Sequence, residues 1–66
     1  QNVWNFTSTN DRIETVRIVD VLGKNVMTVS PKSNNVSVDG SSLTKGIYFA
    51  KIATAKATET IKLMKN

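Results

Sequence analysis

Short runs in which apolar and polar residues alternate constrain the fold of this chain more than any other feature of its sequence. The runs are rich in Val, Ile and Thr, and polar turn residues separate them roughly every eight to twelve positions. A period of two residues places alternate side chains on one face of a β-strand, and helical periodicity is hard to find here. The pattern therefore predicts an all-β protein built from short strands.

One hairpin is predicted in detail. In the segment IETVRIVD, Val16 and Ile18 share one face and Arg17 points away from it. The segment DVLGK then forms a turn, in which Asp20 accepts backbone N–H groups and Gly23 adopts a left-handed conformation. Consecutive strands joined by such tight turns are antiparallel. A small antiparallel β-sandwich and a small open barrel both fit this pattern, and the pattern does not separate them.

The segment IYFAKI is the longest apolar strand, and it is apolar on both faces. We predict that Ile47 and Phe49 face the core. This choice leaves Tyr48, Ala50 and Ile52 facing outward, as a contact surface or as a strand prone to aggregation.

Three further apolar features belong to the predicted core. Trp4 and Phe6 share one face of the first strand, so Trp4 is expected in the core rather than on a sugar-stacking surface. Leu43 is the single apolar anchor of a polar loop and is expected to close the end of the core. In the last strand Ile61 and Leu63 share a face, opposite to Lys62.

Length and composition exclude several classes of function. With 66 residues, the chain forms one small domain that buries about 60% of its surface on folding. Its net charge is +4. It contains no Cys and no His, which excludes a Cys or His zinc site, a Cys nucleophile and a His general base. No apolar run approaches the ~20 residues of a membrane span. The first residue is Gln1, and we expect residues 1–66 to be the C-terminal piece of a longer protein.

The charged residues favour structural roles. Asp20 and Asp39 each stand beside a Gly-containing turn, where a carboxylate accepts backbone hydrogen bonds, and Glu14 and Glu59 are expected to face solvent. The spacing of the Asp residues does not fit a calcium loop. The cations are spread along the chain and do not alternate with aromatic residues, which argues against nucleic-acid binding. We predict no catalytic residue, metal or cofactor.

Three segments, in this order, resemble the type A C-terminal sorting domain of the type IX secretion system. They are VRIVDVLGKNVMTV, NNVSVDGSSLTKGIYFAKI and TIKLMKN, and they cover roughly residues 13–65. The resemblance rests on a D-x-x-G-K hairpin, an L-x-x-G-x-Y-x-x-K strand and a closing K-L-x-K-like tail. It implies a small immunoglobulin-like antiparallel β-sandwich with six to seven short strands.

The resemblance also implies a function. Such domains direct secreted proteins to an outer-membrane translocon of Gram-negative bacteria, and a sortase-like peptidase usually removes them at the cell surface. The parent protein is then attached to the surface or released. The residues onto which the resemblance places partner recognition are Lys45, Gly46, Tyr48, Lys51, Lys62, Leu63 and Lys65. The residues that match the family's structural hairpin are Asp20, Gly23 and Lys24.

One departure from the family pattern predicts an assembly. Family members usually begin with a Pro-Asn-Pro-like segment and a first strand, which the segment QNVWNF does not contain. A missing strand leaves an edge open, and an open edge can pair with a second copy of the chain. A homodimer through this edge is therefore a further hypothesis.

Two other functions remain as alternatives. An accessory carbohydrate-binding module of a glycoside hydrolase would need an exposed aromatic surface, which Trp4 or Tyr48 would have to supply. A structural spacer would need no recognised surface, and the lysines would then serve only to protect strand edges and to keep the domain soluble.

Overall fold

A computed structural model describes residues 3–66, which form six strands in two sheets. The strands are β1 (Val3–Thr7), β2 (Ile13–Asp20), β3 (Asn25–Val29), β4 (Asn35–Asp39), β5 (Gly46–Thr54) and β6 (Thr58–Lys65). The smaller sheet has the order β1-β4 and the larger has the order β3-β2-β5-β6, with antiparallel neighbours throughout. The predicted all-β sandwich is confirmed, and the two separate sheets decide against the open barrel. Within residues 3–66, no helix has the length and apolarity that crossing a bilayer requires.

The core lies between the two sheets, and the central strands of the larger sheet supply most of it. On β2, Val16 and Ile18 are buried on one face, as the alternation predicts. They lie opposite Ile52 and Ala50 of β5, which are buried too. Because each buried residue has a buried partner across the strand pair, a shift of one residue would expose a whole row of apolar side chains.

The smaller sheet covers this core with alternate residues of both strands. Phe6 and Val38 are buried, and Trp4 and Val36 pack against the same cluster. The ring of Trp4 lies over Gly40, where a Cβ atom would stand only 2.7 Å from the ring atom Cη2. The absence of a side chain at Gly40 therefore makes room for the indole.

The prediction for the two faces of β5 is wrong. Tyr48, Ala50 and Ile52 are buried, whereas Ile47 is 37% exposed and Phe49 is half-buried. Since both faces of this segment are apolar, the alternation alone does not identify the core face. The pairing with β2 does, because it places the even-numbered residues of β5 beside the buried row of β2.

The two sheets differ in width, and this leaves one part of the inner surface open. Ile61 on β6 lies opposite the fully buried Ala50, yet Ile61 is 38% exposed. A groove of about 490 Å³ opens here between β1 and β6, with Phe6, Ile52 and Ile61 among its lining residues. The two-stranded sheet is therefore too narrow to cover the inner face of β6.

The turn between β2 and β3 is held by the side chain of Asp20. Its Oδ1 atom accepts hydrogen bonds from the backbone N–H groups of Leu22 and Lys24, both at 2.9 Å. The backbone N–H of Asp20 donates to the carbonyl of Lys24 at 3.0 Å. Gly23 has a φ of +85°, a conformation that an L-residue rarely adopts. These contacts give the three residues Asp20, Gly23 and Lys24 a local structural role.

Candidate functional site

The C-terminal hairpin, formed by β5 and β6, and the loop before it carry all seven residues that the sequence comparison places in partner recognition. These residues do not form one surface. Lys45, Lys51 and Lys62 are exposed, whereas Tyr48 and Leu63 are buried. The hairpin therefore divides the set into exposed cations and a structural support.

Tyr48 and Leu63 form the support. They lie directly opposite each other on β5 and β6, on the face that packs against the core. The Tyr48 hydroxyl donates to the backbone carbonyl of Thr44 at 2.8 Å and lies 3.2 Å from the Thr44 hydroxyl. The prediction that Tyr48 points outward is wrong, because a tyrosine at this end of the strand can bury its ring and still reach a polar partner.

Lys65 ties the end of β6 to the same loop. Its Nζ atom donates to the backbone carbonyl of Leu43 at 2.9 Å. Leu43 packs against the core, and its backbone N–H donates to the carbonyl of Gly40 at 2.9 Å. The last strand and the loop that precedes β5 are thus held as one unit.

The carboxylate of Asp39, the last residue of β4, lies at the start of this loop. It accepts a hydrogen bond from the backbone N–H of Ser41 at 2.9 Å, and this bond is the main reason why the pKa of Asp39 lies below its ordinary value. A side-chain hydrogen bond from Ser41 and the positive charge of Lys65 lower the pKa further. The ionised form of Asp39 therefore stabilises the start of the loop.

Gly46 joins the loop to β5 with a φ of +147°. No atom outside its own chain neighbours lies within 4 Å of a Cβ built on this residue. The glycine is required here by the backbone conformation and not by a close contact. Its conformation turns the chain from the loop into β5.

The outer face of the larger sheet contains a cation that the sequence comparison did not select. Arg17 on β2 is exposed and lies directly opposite Lys51 on β5. Lys62 lies on the next strand, opposite Phe49. The alternation in β2 predicted that Arg17 faces outward, but only the register between strands brings it beside Lys51.

The acidic side chains of the described residues are not gathered into one cluster. Among residues 3–66, no group of three or more Asp or Glu side chains is placed to hold a metal ion. Two carboxylates, Asp11 and Glu59, are among the lining residues of the groove between β1 and β6, but the chain has no His or Cys to join them. A second depression, of about 420 Å³, lies beside the loop that contains Leu43.

Neither aromatic residue proposed for sugar stacking presents an open ring. Trp4 packs against the core and over Gly40, and Tyr48 is 6% exposed. A carbohydrate platform needs an aromatic face that solvent and ligand can reach. The geometry thus does not favour the carbohydrate-binding alternative.

Comparison with known proteins identifies the family. The model of the family described as "Secretion system C-terminal sorting domain" matches residues 1–66, the whole chain, and it confirms the resemblance found in the sequence. No curated protein and no solved structure matches the chain. The chain therefore belongs to the family of secretion system C-terminal sorting domains, the signals that direct proteins through the type IX secretion system to the cell surface or beyond.

Proposed function

We propose that this chain is a non-catalytic sorting domain whose C-terminal hairpin is read by the outer-membrane translocon through direct protein contact. The position of β6 is the observation that carries the proposal. Within residues 3–66, β6 is the last strand of the larger sheet and pairs only with β5. Its other edge offers backbone N–H and C=O groups to a strand of a partner, which is the usual geometry of β-strand addition.

The exposed lysines of the hairpin supply the selectivity in this proposal. Lys62 lies on the edge strand itself, Lys51 on its neighbour and Lys45 at the entrance of β5. Backbone pairing contributes affinity with little dependence on sequence, so the side chains beside it must distinguish one partner from another. Lysines on an edge strand also oppose pairing with the wrong chains, which is the role they would have in a spacer domain.

The buried members of the set act indirectly. Tyr48 and Leu63 hold the two strands of the hairpin against the core, and Lys65 holds the loop that contains Leu43. Gly46 allows the positive φ with which the chain enters β5. We therefore treat these residues as positioning residues, whose loss impairs recognition by loosening the hairpin.

A reporter fusion tests recognition separately from folding. Residues 1–66 are attached to the C-terminus of an inert reporter in a bacterium that has a type IX secretion system. When Lys45 and Lys62 are replaced by Ala, the reporter should stay inside the cell. When Lys24 and Lys32 are replaced by Ala, it should still be exported, although both double substitutions remove the same positive charge. Thermal unfolding of each domain checks that it folds. Normal export of the Lys45 and Lys62 variant would contradict the proposal.

The fate of the domain after export follows from the family function and is also a proposal. A sortase-like peptidase at the surface removes the domain, and the parent protein is anchored or released. Residues 3–66 form a compact domain without helices, and such a domain presents few unfolded segments. The cut is therefore expected at or before its first strand. Mass spectrometry of the released domain locates this cut. Recovery of the parent with the complete domain still attached would contradict removal.

We further propose that the domain forms a homodimer through an open strand edge. The support is the groove between β1 and β6, in which Ile61 is exposed although it lies on the inner face of its sheet. Within residues 3–66, β1 pairs only with β4, so its second edge is available for a strand of another copy. Light scattering over a range of concentrations tests this. A monomer mass at high concentration would rule the dimer out, and Ile61→Lys is expected to reduce dimerisation.

A further inference from the structure

We propose that the outer face of the larger sheet binds a carboxylate-rich surface of a protein partner. The cations of this face are Arg17, Lys51 and Lys62, which we call the basic face. The proposal rests on the sorting function for the setting in which the partner is met. It adds to that function a residue of β2 and the chemical nature of the partner.

The register of the sheet gathers the three cations. Arg17 lies directly opposite Lys51, and Lys62 lies opposite Phe49, two residues before Lys51 on β5. Side chains directly opposite each other have Cβ atoms about 5 Å apart, and diagonal neighbours about 7–8 Å apart. Three adjacent strands thus place three positive side chains on one face of the sheet, with the outer two, Arg17 and Lys62, about 12 Å apart.

Among residues 3–66, the only carboxylate beside this face is Glu14, which lies at the register shift between Ile13 and Thr15 and is already paired with two other cations. The other residues that the register places on it carry no carboxylate; they are Thr15, Val19, Asn25, Thr28, Ile47, Phe49, Ala53, Thr58, Thr60 and Met64. Both salt bridges among residues 3–66 are made by Glu14, with Arg12 and with Lys32. Like charges directly opposite each other destabilise a strand pair, so the pair Arg17–Lys51 costs stability in the free domain.

Protection of strand edges does not account for this arrangement. Lysine on an edge strand hinders unwanted pairing, and Lys62 on β6 fits that role. Arg17 and Lys51, however, lie on β2 and β5, the two central strands of the sheet, whose edges are already paired. Two facing cations at the centre of a sheet are best explained by an external anion.

The neighbours of the cations favour protein carboxylates over an anionic lipid surface. Binding to a bilayer is strengthened by apolar side chains that protrude between the cations and insert among the lipids. Around Arg17 and Lys51 the apolar neighbours are sunk into the sheet, because Val19 is buried and Phe49 is half-buried. The exposed apolar side chains of this face, Ile47 and Met64, lie at its far end, beyond Lys62. Threonines such as Thr28 and Thr60 flank the cations instead. A guanidinium beside hydroxyl groups matches the planar, bidentate geometry of a carboxylate.

Binding to two probes tests the chemistry of the face. The domain is titrated with poly-L-glutamate and, separately, with vesicles of phosphatidylglycerol, with binding followed by NMR at physiological salt. Replacing Arg17 and Lys51 by Gln should weaken poly-L-glutamate binding about tenfold or more, since at least one charge-assisted contact is lost. The matched pair Lys24→Gln and Lys32→Gln lowers net charge equally and should change affinity by less than about threefold. The Arg17 and Lys51 variant should also have a Tm at least as high as that of the unmodified domain, because the substitutions remove a repulsion between the two cations.

Each contrary result has a definite meaning. Equal loss of affinity in both pairs would show an effect of net charge alone and would overturn the inference. Tighter binding to the vesicles than to poly-L-glutamate would overturn it in favour of a membrane surface.

In the reporter assay, the reporter fused to the Arg17 and Lys51 variant should be retained in the cell. If that variant is exported while the Lys45 and Lys62 variant is retained, the sorting proposal stands and this inference fails. If both are exported, the sorting proposal fails, and the two-probe titration alone decides this inference.

Discussion

Replacing Tyr48 by Phe separates the two roles that this residue can have. The substitution keeps the buried ring and removes only the hydroxyl, which donates to the carbonyl of Thr44 at 2.8 Å. A hydrogen bond of this kind contributes about 1 kcal/mol net to stability, and the carbonyl left behind is partly buried. For a domain of this size, such a loss lowers Tm by about 4–8 °C.

The choice of Phe rather than Ala follows from the stability of so small a domain. At roughly 0.05–0.15 kcal/mol per residue, a chain of 66 residues has about 3–10 kcal/mol in total. Removing a buried aromatic ring costs about 3–5 kcal/mol, which is enough to unfold much of the population. An export defect in Tyr48→Ala would therefore say nothing about recognition.

The assay combines unfolding in urea, thermal unfolding by circular dichroism and the reporter fusion. Tyr48→Phe should be less stable than the unmodified domain but should be exported normally at temperatures where it is folded. Ile47→Ala, on the opposite face of the same strand, is the control and should cost about 1 kcal/mol or less, since Ile47 is 37% exposed. Full stability of Tyr48→Phe together with lost export would refute the reasoning, because the hydroxyl would then be a contact to the receptor.

Three further substitutions test the segment from the end of β4 to the start of β5, which supports the hairpin. Gly40→Ala should cost about 1–3 kcal/mol, measured in urea, and should shift the fluorescence of Trp4 to longer wavelength, because the new Cβ displaces the ring; unchanged fluorescence would contradict the packing. Gly46→Ala should also cost about 1–3 kcal/mol in urea, here through backbone strain alone at a φ of +147°; an unchanged free energy of unfolding would count against that conformation. Asp39→Asn should flatten the loss of stability on acidification. Because hydrogen bonds from Ser41 lower the pKa of Asp39 in the folded domain, its contribution is complete above the pKa of the unfolded chain and is lost as the pH falls below about 4 towards the folded pKa. Parallel acid titration curves for the two proteins would contradict this.

The strands whose two faces differ in polarity could be predicted closely. On β2, Val16 and Ile18 face the core and Arg17 faces solvent, as the alternation indicates. The turn after β2 could be anticipated as well, because Asp20 and Gly23 act on the backbone within four residues of the chain. In both cases the determining interactions are local, because they join residues that are close together in the sequence.

The two faces of β5 could not be assigned in this way. Ile47 and Phe49 are as apolar as Tyr48 and Ile52, so the assignment that put the first two in the core was wrong. The polar hydroxyl of Tyr48 suggests that its side chain faces solvent. In the structure the ring is buried, and the hydroxyl still donates to the backbone carbonyl of Thr44. A partner four residues away satisfies the hydroxyl only because the loop folds back over the ring, which no local pattern reveals.

The class of fold, the positions of the strands and the family of the chain follow from its sequence alone. This is because alternation, turn chemistry and motif order are properties of consecutive residues. The buried face of β5, and the position of Arg17 beside Lys51, become clear only in the folded domain. Those facts depend on the register between strands that are distant in the chain, and hydrogen bonding between whole strands sets that register.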